Sequence, residues 1–226
     1  MFDWSGLYFG AQGGGIWSKT RAVYGPSNPA ATISGDTGQG FSSSLDSWIV
    51  GGQVGYQYQF DRLVFGLEGT GTILLGPIRG TREICPKTSI VLFNCSANIN
   101  EILTAGGRLG WSMGNWLPYM TGGYAVTNFT GEVTNLQLAP GGFHIIDWKG
   151  RADGWYLGGG IDFAIMHGVT LGVEYRHYDF RNRQAPAKAT IGGIPDSNLP
   201  NDNATFKSNA DTVTLRLSYK FSSVPR

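Results

Sequence analysis

The run Thr212-Val213-Thr214-Leu215-Arg216-Leu217-Ser218-Tyr219-Lys220-Phe221 alternates without a slip. Val213, Leu215, Leu217, Tyr219 and Phe221 take one side, and Thr212, Thr214, Arg216, Ser218 and Lys220 the other. A period of two is that of a β-strand, whose successive side chains point to opposite faces. The pattern recurs in segments of about 11 residues, the length a tilted strand needs to cross a bilayer. Eight strands are expected, at 4–17, 46–59, 63–73, 102–112, 117–128, 154–164, 169–179 and 211–221. In the second, Trp48, Val50, Val54, Tyr56 and Tyr58 oppose Gly51, Gln53, Gly55, Gln57 and Gln59. One face is apolar throughout, and the other is small, polar or charged.

The gaps carry as much information as the strands. Those at 60–62, 113–116 and 165–168 are tight, whereas 18–45, 74–101, 129–153 and 180–210 are long, and the two kinds alternate strictly. Such asymmetry belongs to a barrel with short periplasmic turns and long outer loops. The prolines agree, with Pro118 alone inside an expected strand, at its beginning, where it is tolerated. The expected fold is all-β: an eight-stranded antiparallel up-and-down transmembrane β-barrel with short periplasmic turns and four long extracellular loops. Residues 1–221 form its single domain and 222–226 a tail read as a tag remnant. A soluble barrel would turn the apolar face inward, but the opposite face is rich in Gly and lacks the Lys and Glu of a solvated surface.

Composition supports folding and narrows function. The 35 glycines double the usual share of about 7%, and charged residues reach 15% where about 25% is typical. Hydrophobic residues at 41% and the lack of a Gly-X-Y period exclude disorder and collagen. A net charge of +1 gives no footprint for nucleic acid. The most apolar stretch, Ile73-Leu74-Leu75-Gly76-Pro77-Ile78, is too short and broken for a membrane helix. The pattern begins at Met1-Phe2-Asp3-Trp4 with no leader in view, so either the protein is cytosolic or a signal peptide has been removed or lies outside this sequence; the barrel pattern favours the second.

Three copies of one motif, Gly51-Gly52-Gln53-Val54-Gly55-Tyr56, Gly106-Gly107-Arg108-Leu109-Gly110-Trp111 and Gly158-Gly159-Gly160-Ile161-Asp162-Phe163, fall in strands two, four and six. These strands run the same way, so Tyr56, Trp111 and Phe163, with Tyr219 and Phe221, are expected at one height as an aromatic girdle. With the apolar face on lipid, Glu68, Arg108, Asp162, Glu174, Arg176 and Arg216 point inward, three acids against three bases. Neighbouring strands suggest the pairs Glu68 with Arg108, Asp162 with Arg176 and Glu174 with Arg216, with Tyr8, Gln12, Gln53 and Gln57 as further partners. An eight-stranded barrel is just wide enough for side chains to fill, so this set reads as a plug more than as an ion pathway. Gly10, Gly14, Gly51, Gly55, Gly66, Gly106, Gly110, Gly158 and Gly172 would make room for it.

No catalytic constellation stands out. His167 falls in a tight turn, His177 on an outward face and His144 in a long loop, and no motif singles out a serine partner. Neither a cofactor nor a metal is expected, since Cys85 and Cys95 have no His at ligand spacing. Both cysteines lie in the second long loop, where a disulfide is favoured over free thiols. Cations near the loop bases, Arg79 with Arg82 and Lys87, Lys149 with Arg151, and Arg181 with Arg183 and Lys188, suit outer-leaflet lipopolysaccharide phosphates or plain solvation equally.

Several stretches carry a resemblance: Trp4-Ser5-Gly6-Leu7-Tyr8-Phe9-Gly10, Phe65-Gly66-Leu67-Glu68-Gly69, Pro118-Tyr119 with Thr121-Gly122-Gly123, Gly154-Trp155, Val173-Glu174-Tyr175 and the closing Leu217-Ser218-Tyr219-Lys220-Phe221. Together they resemble the small eight-stranded outer-membrane barrels of alphaproteobacteria, the opacity-type "porin family" group of surface antigens and hemin-binding proteins. The resemblance implies the bacterial outer membrane, a structural and surface-antigen role without catalysis, a monomer, and handling by the barrel-assembly machinery. It also leaves open a binding protein for hemin or another small hydrophobic ligand, with His144, Tyr24 and Met113 as candidates, or a narrow channel for small solutes.

Overall fold

The computed structural model describes residues 2–24, 40–80, 83–85, 93–135, 144–186, 188–191, 194–195 and 203–221. In chain order the strands are β1 (Gly6–Tyr24), β2 (Gly40–Phe60), β3 (Leu63–Gly80), β4 (Glu83–Cys85), β5 (Phe93–Trp111), β6 (Trp116–Asn135), β7 (His144–Met166), β8 (Val169–Pro186), β9 (Lys188–Ile191), β10 (Ile194–Pro195) and β11 (Asn203–Lys220). Eight are long, and each of these pairs antiparallel with the next in sequence. The last, β11, returns to β1 from Tyr8↔Lys220 to Tyr24↔Ala204 and closes the barrel. The short β4 adds to β5 and β9 to β7.

The register fixes the barrel's width. Register partners followed once round from Tyr8, through Gly55, Glu68, Gly106, Gly123, Tyr156, Tyr178 and Ala210, return to β1 at Ser18, ten residues further on. Ten residues of stagger over eight strands tilts the strands by roughly 40° and sets a backbone radius of about 8 Å. Side chains from opposite walls therefore meet near the axis.

Exposure is inverted relative to a soluble protein. Leu67 is 72% exposed and Leu215 61%, while their neighbours Glu68 and Arg216 are 3% and 1% exposed. Near the tight turns the outward rings pack in pairs: Phe9 with Phe221 at 5.3 Å, Tyr58 with Phe65 at 5.6 Å, Trp116 with Phe163 at 4.4 Å. Tyr56, Trp111, Tyr219 and Phe221 also face out. Trp111 pairs with Leu63 and Tyr56 with Leu67; since the tilt shifts height by about 3 Å per strand, these two rings stand about 4 Å apart along the barrel axis. A second belt was not foreseen from the sequence. Trp17, Trp48, Tyr124, Trp155 and Tyr175 face outward toward the other end. Phe9 to Trp17, Trp116 to Tyr124 and Trp155 to Phe163 are each eight residues apart. At a rise of about 3.3 Å per residue and a tilt of roughly 40° the belts stand about 20 Å apart, close to the apolar band of outer-membrane barrels.

The strands outrun the boundaries expected from hydropathy. β1 continues to Tyr24, β2 begins at Gly40 and β7 at His144. Beyond the second belt the outward positions turn polar, so the apolar signal stops while the backbone ladder goes on. Pro77 and Pro186 consequently sit in strands, Pro77 where the β2–β3 register slips and its missing N–H is tolerated. At the tight turns Asp61 takes φ 53° and Gly168 φ 77°, the left-handed values such short reversals demand. Residues 222–226 lie outside the described ones.

Candidate functional site

The lumen is built in three layers. Next to the tight turns Trp4, Val64, Leu117 and Ala164 form a buried apolar cluster, with Phe2 packed against it. The chain before β1 folds under the barrel to reach this place. The Trp4 backbone N–H donates to Gln59 Oε1 at 2.9 Å and its indole N–H to the Gly114 carbonyl at 3.3 Å. Lys220 Nζ, 4.9 Å from the Phe2 ring centroid, donates to the Ser5 carbonyl at 3.1 Å and also to that of Asp3. At the other end Ile16, Ile49, Ile99, Ile102, Tyr178 and Phe180 form a second apolar layer, with Tyr178 and Phe180 stacked at 6.1 Å.

Between them lies the charged layer, and all six of the expected residues are in it. Arg216 binds Glu68 and Glu174, one nitrogen to each. Arg176 Nη2 donates to Glu68 at 2.6 Å, and its Nε stands 2.7 Å from Glu174 Oε1. Arg108 pairs with Asp162, and its other terminal nitrogen is 3.7 Å from Glu68. Two expected pairings thus change. Asp162 takes Arg108 and not Arg176, while Arg176 is shared by the two glutamates. Glu174 with Arg216 stands as expected, and Glu68 with Arg108 survives only as the long contact. The cause is width: within about 8 Å of the axis, an inward arginine reaches across the lumen as easily as to the next strand.

Uncharged donors complete the layer. The hydroxyl of Tyr8 donates to Glu68 at 2.6 Å and that of Tyr119 to Glu174 at 2.9 Å. The Arg176 Nη1 donates to Thr70 at 3.2 Å and Thr104 at 3.1 Å. The Arg108 guanidinium lies over the Tyr119 ring, 3.5 Å from its centroid, a stacked geometry that suits arginine. Gln12 and Gln53 donate to the hydroxyls of Thr72 and Ser218, at 3.0 Å each. Thr104 and Tyr156 went unnoticed in the sequence, and Thr70, on the polar face of its strand, and Tyr119 were not expected as partners of the charges, although inward parity marks all four.

Glycine clears space for charge, as at Gly172 beside the Asp162 carboxylate and Gly158 beside the Arg176 stem, and also for the inward tyrosines. A Cβ on Gly55 would strike the Tyr8 ring, on Gly106 the Tyr156 hydroxyl, and on Gly160 the Tyr119 ring. Tyr8 and Tyr119 each lie against a glycine of the adjacent strand and Tyr156 against one two strands away; the hydroxyls of Tyr8 and Tyr119 reach the network's glutamates.

The other candidates do not converge. Met113 sits at a tight turn, bridged to Trp116, whereas Tyr24 and His144 end and begin strands at the opposite end, so the three cannot grip one hemin. His177 faces outward, its Nδ1 2.8 Å from Asp211. The backbone sets Glu83 opposite Cys95 and Cys85 opposite Phe93; the side chains of Cys85 and Cys95, of Tyr24 and of His144 lie outside the described residues, as do those of Lys149 and Arg183.

Residues 3–221 match the family described as "Outer membrane protein beta-barrel domain". The "31 kDa outer-membrane immunogenic protein" of Brucella melitensis is 28% identical, over 97% of this chain and 85% of its own. The "25 kDa outer-membrane immunogenic protein" of Brucella canis is 22% identical, over 98% and 81%. Among solved structures, outer membrane protein OprG of Pseudomonas aeruginosa superposes with a TM-score of 0.53 at 12% identity, covering 97% of each chain. The Escherichia coli outer membrane protease OmpT gives 0.53 at 10%, covering 98% of this chain and 99% of its own. At such identities the likeness concerns the fold alone.

Proposed function

Since the chain belongs to the outer membrane protein beta-barrel domain family and resides in the bacterial outer membrane, we propose that it is a closed, non-conducting and non-catalytic barrel with a structural and surface-antigen role. The observation that carries this reading is the layered lumen. A solute would have to pass the cluster around Trp4, a neutral network of three arginines and three carboxylates, and the layer of Ile16, Ile49, Ile102 and Phe180. Each charge is held by partners that a permeating ion would have to displace, at the cost of leaving a buried charge unpaired. Surface display fits the relatives' description as immunogenic proteins. The barrel acts as a monomer, and its aromatic-ended closing strand is what the assembly machinery reads.

Refolded protein in planar bilayers and in liposome-swelling assays tests the proposal. The expected result is a silent bilayer and unswollen liposomes. Stable unitary conductance, or swelling with small sugars, overturns it in favour of a narrow channel.

A further inference from the structure

Just beyond the second aromatic belt, two adjacent strands, β1 and β11, present cations outward. Lys19 and Arg21 are the next outward positions of β1 after Trp17, and Lys207 of β11 stands beside them. In the ladder Arg21 is directly opposite Lys207 on one side and Ser42 on the other, and Lys19 is opposite Asn209 and Ser44. These six residues are exposed and line a pocket of about 300 Å³. Like charges directly opposite on an antiparallel pair repel, and among the described residues none of the three cations has an ion pair. The nearest carboxylates in the ladder, Asp46 and Asp211, both pair with Trp17, on the membrane side of the cluster. Asp211 is within electrostatic reach of Lys19 but is taken up by the Tyr175 hydroxyl at 2.6 Å and His177 Nδ1 at 2.8 Å.

We propose that Lys19, Arg21 and Lys207 form a binding site for the phosphorylated headgroup of an outer-leaflet lipid. Depth selects the lipid. The aromatic belt marks where acyl chains give way to headgroups, and a rise of about 3.3 Å at a tilt of roughly 40° puts Lys19 about 5 Å and Arg21 about 10 Å beyond it. A phosphate there meets a planar guanidinium able to bind it bidentately and two ammonium groups. The Ser42 hydroxyl and the Asn209 amide offer further donors. One anion would also relieve the Arg21–Lys207 repulsion. Elsewhere at this end, Arg181 already has Asp153 at 3.9 Å.

Thermal unfolding of the refolded barrel in detergent, titrated with lipopolysaccharide bearing its lipid A phosphates, tests the site. Dephosphorylated lipopolysaccharide and inorganic phosphate form separate arms. Phosphorylated lipid is expected to raise Tm, and the other two are not. The Lys19→Gln/Arg21→Gln/Lys207→Gln variant is expected to start at least as stable as the parent, because the repulsion is gone, and to lose affinity on the order of a hundredfold. Lys207→Gln alone should lose about fivefold. A control, Arg62→Gln, removes one exposed charge at the tight-turn end and should stay near the parent. A loss in this control equal to that of Lys207→Gln means diffuse attraction and overturns the site. An equal rise with dephosphorylated lipid shows that the chains are bound, and one with inorganic phosphate that the ligand is a soluble anion; either result overturns the lipid-headgroup assignment.

Discussion

Arg216 and Glu68 are ion-paired although β1 and β2 stand between their strands, and both side chains are only 1% exposed. The bond therefore runs through the lumen and not along the wall. Arg216 also holds Glu174, so a single guanidinium ties β11 to β3 and β8.

Removing that guanidinium leaves two buried carboxylates short of a partner. Arg216→Ala should cost about 3–5 kcal/mol, read as a lower urea midpoint for the barrel refolded in vesicles. Glu68→Gln/Arg216→Met should recover much of the loss, because the uncompensated charge goes with it. If the single variant unfolds like the parent, the network carries no structural weight.

Breaking the charged layer alone should not open a pore. Glu68→Ala/Arg216→Ala is expected to stay silent in planar bilayers, since the layers around Trp4 and around Ile16 and Phe180 still seal both ends. Adding Trp4→Ala and Phe180→Ala should produce conductance. Current from the first variant would show that the apolar layers leak.

The glycine under Tyr8 has a measurable cost of replacement. Gly55→Ala drives a methyl into the Tyr8 ring and should destabilise by about 1–3 kcal/mol. Combined with Tyr8→Ala, the two losses should add to less than their sum, because they share one contact. Strict additivity in urea unfolding would separate the two residues.

Tryptophan depth reports the membrane position. In variants that each retain one tryptophan, Trp17, Trp48 and Trp111 should be quenched by lipids brominated near the headgroup. Trp4, 1% exposed inside the barrel, should be quenched by none. Quenching of Trp4 would place it outside the barrel.

The cysteines give a test by mass. The β4–β5 ribbon sets Cys85 and Cys95 two positions out of step, so the disulfide we propose requires that ribbon to slide. Intact mass should rise by about two daltons on reduction, the two hydrogens gained when the bond splits into thiols. An unchanged mass means free thiols in the register observed.

Strand identity, face and the six inward charges were legible because a strand repeats every two residues and lipid punishes any error in that repeat. Partner choice was not legible. Pairing by adjacency assumes a flat sheet, whereas Arg108 and Arg176 choose by distance across a curved one. The outer ends of β1, β2 and β7 were missed for another reason: where both sides meet water, as around Lys19 and Ser44, hydropathy carries no period. Trp4 was read as the first residue of a strand, with the parity of the inward Tyr8; it is buried as that parity implies, but β1 begins only at Gly6.

Seven of the barrel's eight seams join strands that follow one another in the chain, and only the β1–β11 seam joins its two ends. Arg216, which bridges the two glutamates, and Lys220, which secures the amino-terminal segment, both sit on β11. Until β11 is made, Glu68 and Glu174 have Arg176 but not Arg216, and the first strand lacks one edge partner. Closure is thus a single late event of high contact order, and a chain truncated by even its final strand should remain an open sheet with an unpaired edge, open to capture by proteases and chaperones.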